Sequence, residues 1–141
     1  MPTLVYPMAH AGERIHYLTL ALEARSAIKR LKLLLKTKEY TPELKSALKA
    51  AAVSLRAVDS QKNLYSKLYD DVGYSRFEEI ETLQEVRRML GDTGVGAHLE
   101  RVLSGVNCTD EDVRAAIRFF SAMENRALYH YNDPSLAESS G

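Results

Sequence analysis

The chain is poor in residues that staple folds, span membranes or cradle phosphates. Its single cysteine, Cys108, cannot close an internal disulfide, which excludes a cysteine framework and fits a reducing compartment. Nothing around Cys108 resembles a catalytic dyad. No apolar run approaches the ~20 residues needed to cross a bilayer, because Lys or Arg interrupts each one. The segment Met1–Met8 has no basic stretch leading a hydrophobic block, so no secretory signal is read and the cytoplasm is expected. Gly91-Asp-Thr-Gly94-Val-Gly96 lacks the lysine and the preceding strand that make a glycine-rich phosphate loop work. There is no tryptophan, no internal repeat, no low-complexity tract and no segment with strand period.

What is present fits one globular domain. A chain of 141 residues with 45% hydrophobic and 27% charged residues buries roughly two thirds of its unfolded surface without staples. The net charge is zero, yet the charges are segregated. Residues 1–70 carry 12 Lys and Arg against 6 Asp and Glu, whereas residues 71–141 carry 7 against 13. All eight lysines lie in the first half. Such asymmetry bears on partners rather than on fold.

Helical periodicity runs through nearly the whole chain and predicts an all-α bundle built on a long antiparallel hairpin. Residues 1–11, with Pro2 and Pro7, read as an extended arm. From about 12 to 38 the apolar positions Tyr17, Leu20, Ala21, Ala24, Ile28, Leu31 and Leu35 share one helical face. Ile15, Leu18 and Leu22 widen it, so this half is expected to be covered on more than one side. Thr41-Pro42 is an N-cap followed by proline at the first helical position. A second helix is expected over about 42–72 through Leu44, Leu48, Ala51, Leu55, Val58, Tyr65, Tyr69 and Val72. Its near-heptad spacing and alanines would let the first helix approach closely.

Gly73 ends that helix, and Ser75 with Glu78 has the spacing of a capping box. Shorter helices are expected over about 76–90, 95–104 and 110–131, the last with three acids in its first turn. Asn132-Asp133-Pro134 stops it. The domain is thus 12–132, with a flexible tail over 133–141.

Two patterns raise the question of catalysis. His10, Glu13 and His16 are spaced to share one helical face, and Glu-x-x-His is a spacing that ferritin-like carboxylate proteins use for metal. Those proteins need a second such motif and two further glutamates, which this sequence does not supply. The plain alternative is a frayed first turn with these groups in solvent. The stretch Glu124-Asn-Arg126-Ala-Leu-Tyr-His130-Tyr131 loosely resembles the Arg…His signature of HEPN ribonucleases, which are also helical bundles. That family places four to six residues between Arg and His, where this chain has three. The resemblance implies Arg126 and His130 as catalytic; the alternative is an Arg paired with an acid and a His ending a helix. No cofactor is expected, and the balance leans away from an enzyme.

The densest surface feature is cationic. Lys29, Arg30, Lys32, Lys36 and Lys38 fall near the end of the first helix, and Lys45 and Lys49 near the start of the second. A hairpin gathers all seven around one tip, opposed by Glu39 and Glu43. Eight tyrosines form the other enrichment, clustered at Tyr65, Tyr69 and Tyr74 and at Tyr129 and Tyr131. Tyrosine suits half-buried rims. The expectation is a non-catalytic interaction module, a small subunit, an adaptor or a homo-oligomer, meeting a protein partner or its own copy through tip and rim. The alternative is a nucleic-acid-associated subunit that binds phosphate through the same tip. In size and class, though by no motif, the chain resembles the small helical subunits of ribonucleoprotein assemblies such as CRISPR effectors. A metal-binding or HEPN-like enzyme is the third reading. No membrane is expected as a partner.

Overall fold

The structure is a computed structural model that describes residues 13–60, 77–91 and 93–134. Five helices make up an all-α bundle, with no strand among the described residues: α1 (Arg14–Thr37), α2 (Pro42–Ser60), α3 (Phe77–Leu90), α4 (Val95–Ser104) and α5 (Asp110–Tyr131). The expected arm, the second half of the second helix and the tail lie outside the described residues. So do Tyr65, Tyr69 and Tyr74.

Local chemistry accounts for the helix ends. The Thr41 hydroxyl accepts from the Leu44 N–H at 3.1 Å, so Thr41 caps α2 and Pro42 occupies its first turn. Thr109 and Asp112 cap α5 reciprocally: the Thr109 hydroxyl accepts from the Asp112 N–H, and the Asp112 carboxylate accepts from the Thr109 N–H. Gly105 closes α4 in the left-handed conformation that glycine adopts without a Cβ clash. Lys38 takes the same conformation after α1, with φ 63°. A lysine there is strained, since its Cβ crowds the following carbonyl.

The apolar faces form one core. Tyr17, Leu20, Ala21, Ala24, Ile28 and Leu31 of α1 are buried, as are Leu44, Leu48, Ala51, Leu55 and Val58 of α2. Leu35 is only partly buried. In α5, Val113, Ala116, Phe119, Phe120, Met123 and Ala127 are buried, while Ile117 and Leu128 pack at the edge.

The partner of α1 differs from expectation. Its most extensive packing is with α5, and α2 packs mainly on α4; α1 and α2 touch comparatively little. Leu20 and Ala24 before the turn and Ala47 and Ala51 after it line a common cleft, so α2 doubles back beside α1 with a gap between them. The apolar row of α2 therefore serves α4 rather than an α1 seam. Of the residues that widen the α1 face, Leu18 is half-buried, while Ile15 and Leu22 are 59% and 50% exposed. Among the described residues, no helix is long and apolar enough to cross a membrane.

Candidate functional site

The turn between α1 and α2 is anchored from below. The Tyr40 hydroxyl donates to the Leu103 carbonyl at 2.9 Å, fastening the turn to the end of α4. Lys38 meets Asp110, at the start of α5, at 3.2 Å. The other two acids of that first turn are also engaged. Glu111 accepts from Arg118 at 2.7 Å. Asp112 is buried and accepts from His98 at 2.7 Å and from Arg101 at 2.9 Å. The Thr109 N–H, and then His98 and Arg101, hold its carboxyl well below the usual carboxylate range despite burial.

Around this anchored turn the remaining cations are uncompensated. Lys29, Lys32, Lys36, Lys45 and Lys49 are exposed and Arg30 is half-buried. None of the six enters an ion pair among the described residues, whereas Arg25, Arg56, Arg87, Arg101, Arg118 and Arg126 each hold a carboxylate. Lys29, Lys32 and Lys36 are spaced to form a row along one face of α1, and Lys45 and Lys49 stand one turn apart on α2. Leu33 is exposed beside the row. The sequence-predicted cationic residues thus remain on the surface, and only Lys38 is internally paired.

At the opposite end of α1, Arg126 and His130 converge on a residue that sequence reasoning did not single out. Both donate to Glu85 of α3: Arg126 Nε at 2.9 Å and His130 Nε2 at 2.6 Å from the same Oε1. Burial alone would raise the Glu85 pKa, but the hydrogen bonds from Arg126 and His130 outweigh it and hold the carboxyl below its ordinary value. The Tyr17 ring stacks on His130 with centroids 4.7 Å apart, and its hydroxyl donates to Glu81. Burial first, then the Glu81 hydrogen bond and the neighbouring carboxylates, push that hydroxyl far above the ordinary tyrosine value. His130 keeps a side chain only 13% exposed. Arg126 and His130 share a face, as their spacing implies, and their donors meet on Glu85. The constellation ties α1, α3 and α5 together.

The metal-type triplet lies only partly within the described residues. His10 lies outside the described residues, Glu13 is exposed at the N-cap of α1, and His16 Nδ1 lies 3.3 Å from Glu78 of α3. Glu78, 2% exposed, accepts from the Glu13 backbone N–H at 2.9 Å through Oε2. Its other oxygen, and the Thr82 hydroxyl one turn later, are buried without a hydrogen-bond partner. No group of three or more His, Cys, Asp or Glu suited to hold a metal occurs among the described residues. The available signal was the acid spacing of α3, where Glu78, Glu81 and Glu85 recur on its inward-facing side.

Comparison with family models, curated proteins and solved structures finds no match to this chain.

Proposed function

We propose that the protein is a non-catalytic helical interaction module, a small subunit or adaptor, that docks the basic face at the α1–α2 turn onto an acidic surface of another protein. One observation carries this reading: six cations there enter no ion pair among the described residues, against two exposed acids at the turn itself, Glu39 and Glu43. Exposed lysines held apart from carboxylates keep their field for an incoming anion and steer its approach. Leu33 supplies an apolar contact within the patch.

A different protein fits better than a second copy. Each described carboxylate from Glu78 to Glu124 accepts a hydrogen bond or an ion pair within the chain, so a copy's acidic half offers a more committed anionic surface than an unpaired acidic partner would. Tyr129, 60% exposed under the Arg126 guanidinium, belongs to a separate rim at the far end. The cytoplasm is the compartment proposed with this reading.

Phosphate is the second reading, favoured by the linear row Lys29–Lys32–Lys36, which a nucleic-acid backbone can track without base contacts. Titrating poly-glutamate, single-stranded RNA and duplex DNA across a salt series separates the two. Poly-glutamate binding that weakens with salt and vanishes when Lys32, Lys36 and Lys45 become Glu supports the protein reading. Preference for RNA or DNA through the same residues supports the second. Binding untouched by the triple reversal removes the turn from both.

A further inference from the structure

The outward face of α1 carries a seam of which the basic turn is only one end. Counted in heptads from Ile15 as position a, the buried residues of α1, such as Leu20, Ala24, Ile28 and Leu31, all fall at c, f and g. Positions a and d lie on the opposite side of the helix. The first three are apolar: Ile15 and Leu22 are 59% and 50% exposed, and Leu18 between them is half-buried. The next four, Arg25, Lys29, Lys32 and Lys36, are cationic and exposed. Arg25 holds Glu124, whereas the three lysines enter no ion pair among the described residues. An unbroken run of a and d positions thus extends about 30 Å along one face, apolar at the start of α1 and cationic towards the turn.

Scattered surface hydrophobics need no partner, but apolar residues repeating at coiled-coil spacing are the knobs that a second helix takes into its holes. What that helix must carry follows from the lysines. A second copy aligned in parallel sets Lys29 and Lys36 against themselves, and an antiparallel copy sets them against its apolar half. Neither brings an acid opposite them at a or d. A helix that lies on a membrane keeps its apolar face along its full length and its cations on the polar face. Here one stripe is apolar at one end and cationic at the other. A nucleic acid would use the lysines and leave Ile15 and Leu22 in water. A partner helix that is acidic over one half and apolar over the other meets both parts of the seam.

We propose that α1 is a docking site for an amphipathic helix of a partner protein, with a seam that is acidic in its N-terminal half and apolar in its C-terminal half. Acids stabilise a helix at its N-terminus, so a partner of this chemistry lies antiparallel to α1. Its acidic half covers Lys29, Lys32 and Lys36, and its apolar half covers Ile15, Leu18 and Leu22. This docking mode rests on the protein-binding reading of the basic face and gives that partner a form.

Fluorescence anisotropy of the full chain with a labelled, alanine-rich peptide of about 22 residues tests it. The peptide carries Glu at the a and d positions of its first half and Leu at those of its second; a control of the same composition intersperses the two. The segregated peptide is expected to bind at least about tenfold more tightly than the control. Ile15→Ala combined with Leu22→Ala, both at exposed positions, is expected to weaken it at least about tenfold while leaving poly-glutamate binding within about twofold. Lys29→Glu, Lys32→Glu and Lys36→Glu together are expected to abolish binding, and a peptide with Lys in place of its Glu to restore it. Equal affinity for the two peptides overturns this docking mode, as does a double alanine variant that binds the segregated peptide like wild type. The basic-face reading survives either result if poly-glutamate still binds. Failure of both the segregated peptide and poly-glutamate to bind overturns the two together, and tighter binding of single-stranded RNA than of the segregated peptide overturns this docking mode in favour of phosphate.

Discussion

The His130 imidazole and the Glu85 carboxylate are joined by a 2.6 Å hydrogen bond between the last turn of α5 and the inner face of α3. Arg126 donates to the same carboxylate, so a single acid gathers two cationic donors at a half-buried position. Truncating the acid is the disruptive change, because it leaves Arg126 and His130 without their acceptor. Glu85→Gln is therefore expected to cost about 1–3 kcal/mol in denaturant unfolding. Glu124→Gln removes only the exposed Arg25 pair and is expected to cost under about 1 kcal/mol. Equal effects would mean that Glu85 is no more than a surface partner.

The pH dependence follows from the same carboxylate. Its folded pKa is lowered, so its contribution is complete above the unfolded value of about 4.3 and is lost as pH falls through the folded one. Asp112, also lowered, acts in the same direction. Unfolding free energy is thus expected to fall from about pH 5 downward, and Glu85→Gln to flatten that slope. A variant with the wild-type slope would assign the acid transition to other groups.

Tyr17 acts at the alkaline end with the opposite sign. Its folded pKa is raised, so the folded state holds a proton that the unfolded state releases above about pH 10. Stability is expected to decline beyond that point, with tyrosinate absorbance from Tyr17 emerging only on unfolding. Tyr17→Phe keeps the stack on His130 and is expected to reduce the alkaline slope, at a cost of about 1 kcal/mol near neutrality. Tyr40 and Cys108, both raised chiefly by burial, add to that slope.

How far the fold was legible follows from which forces act locally. The apolar rows of α1 and of α2 as far as Val58, the Thr41-Pro42 start and the α5 stop at Asn132 are set by residues near one another in sequence, and the structure matches them. The identity of each helix's neighbour is not local. Ala47, Ala50 and Ala51 fit close approach and an open recess equally well, and only the competing pull of α5 on α1 and α4 on α2 decides between them. The Glu85 site was half legible. Arg126 and His130 are one turn apart and stand out, but their acceptor is 41 and 45 residues away on another helix. Glu78 read as half of a local cap, whereas its carboxylate binds the start of α1. The cationic row needed no tertiary information, because lysines spaced along a helix face remain exposed unless an acid reaches them.

The exposed face of α1 is tested by a pair of leucines. Leu48, fully buried in the core, is expected to lose about 2–5 kcal/mol on change to Ala. Leu22 is exposed on that face, and Leu22→Ala is expected to stay within about 0.5 kcal/mol. A large loss at Leu22 would show that something covers this face in solution.

Lys38 separates local strain from electrostatics. Its left-handed backbone, φ 63°, costs a non-glycine residue roughly 1–2 kcal/mol, while its exposed pair with Asp110 returns about 0–1 kcal/mol. Glycine relieves the first and forfeits the second, though its greater freedom in the unfolded chain reduces the gain. Lys38→Gly is therefore expected to stabilise the protein by about 0.5 kcal/mol, and Lys38→Ala, which keeps the strain and loses the pair, to destabilise it slightly. Chemical denaturation of the two variants against wild type checks the order. If alanine proves as stable as glycine, the strain is not what limits this turn, and the Lys38–Asp110 pair and the Tyr40–Leu103 anchor govern it instead.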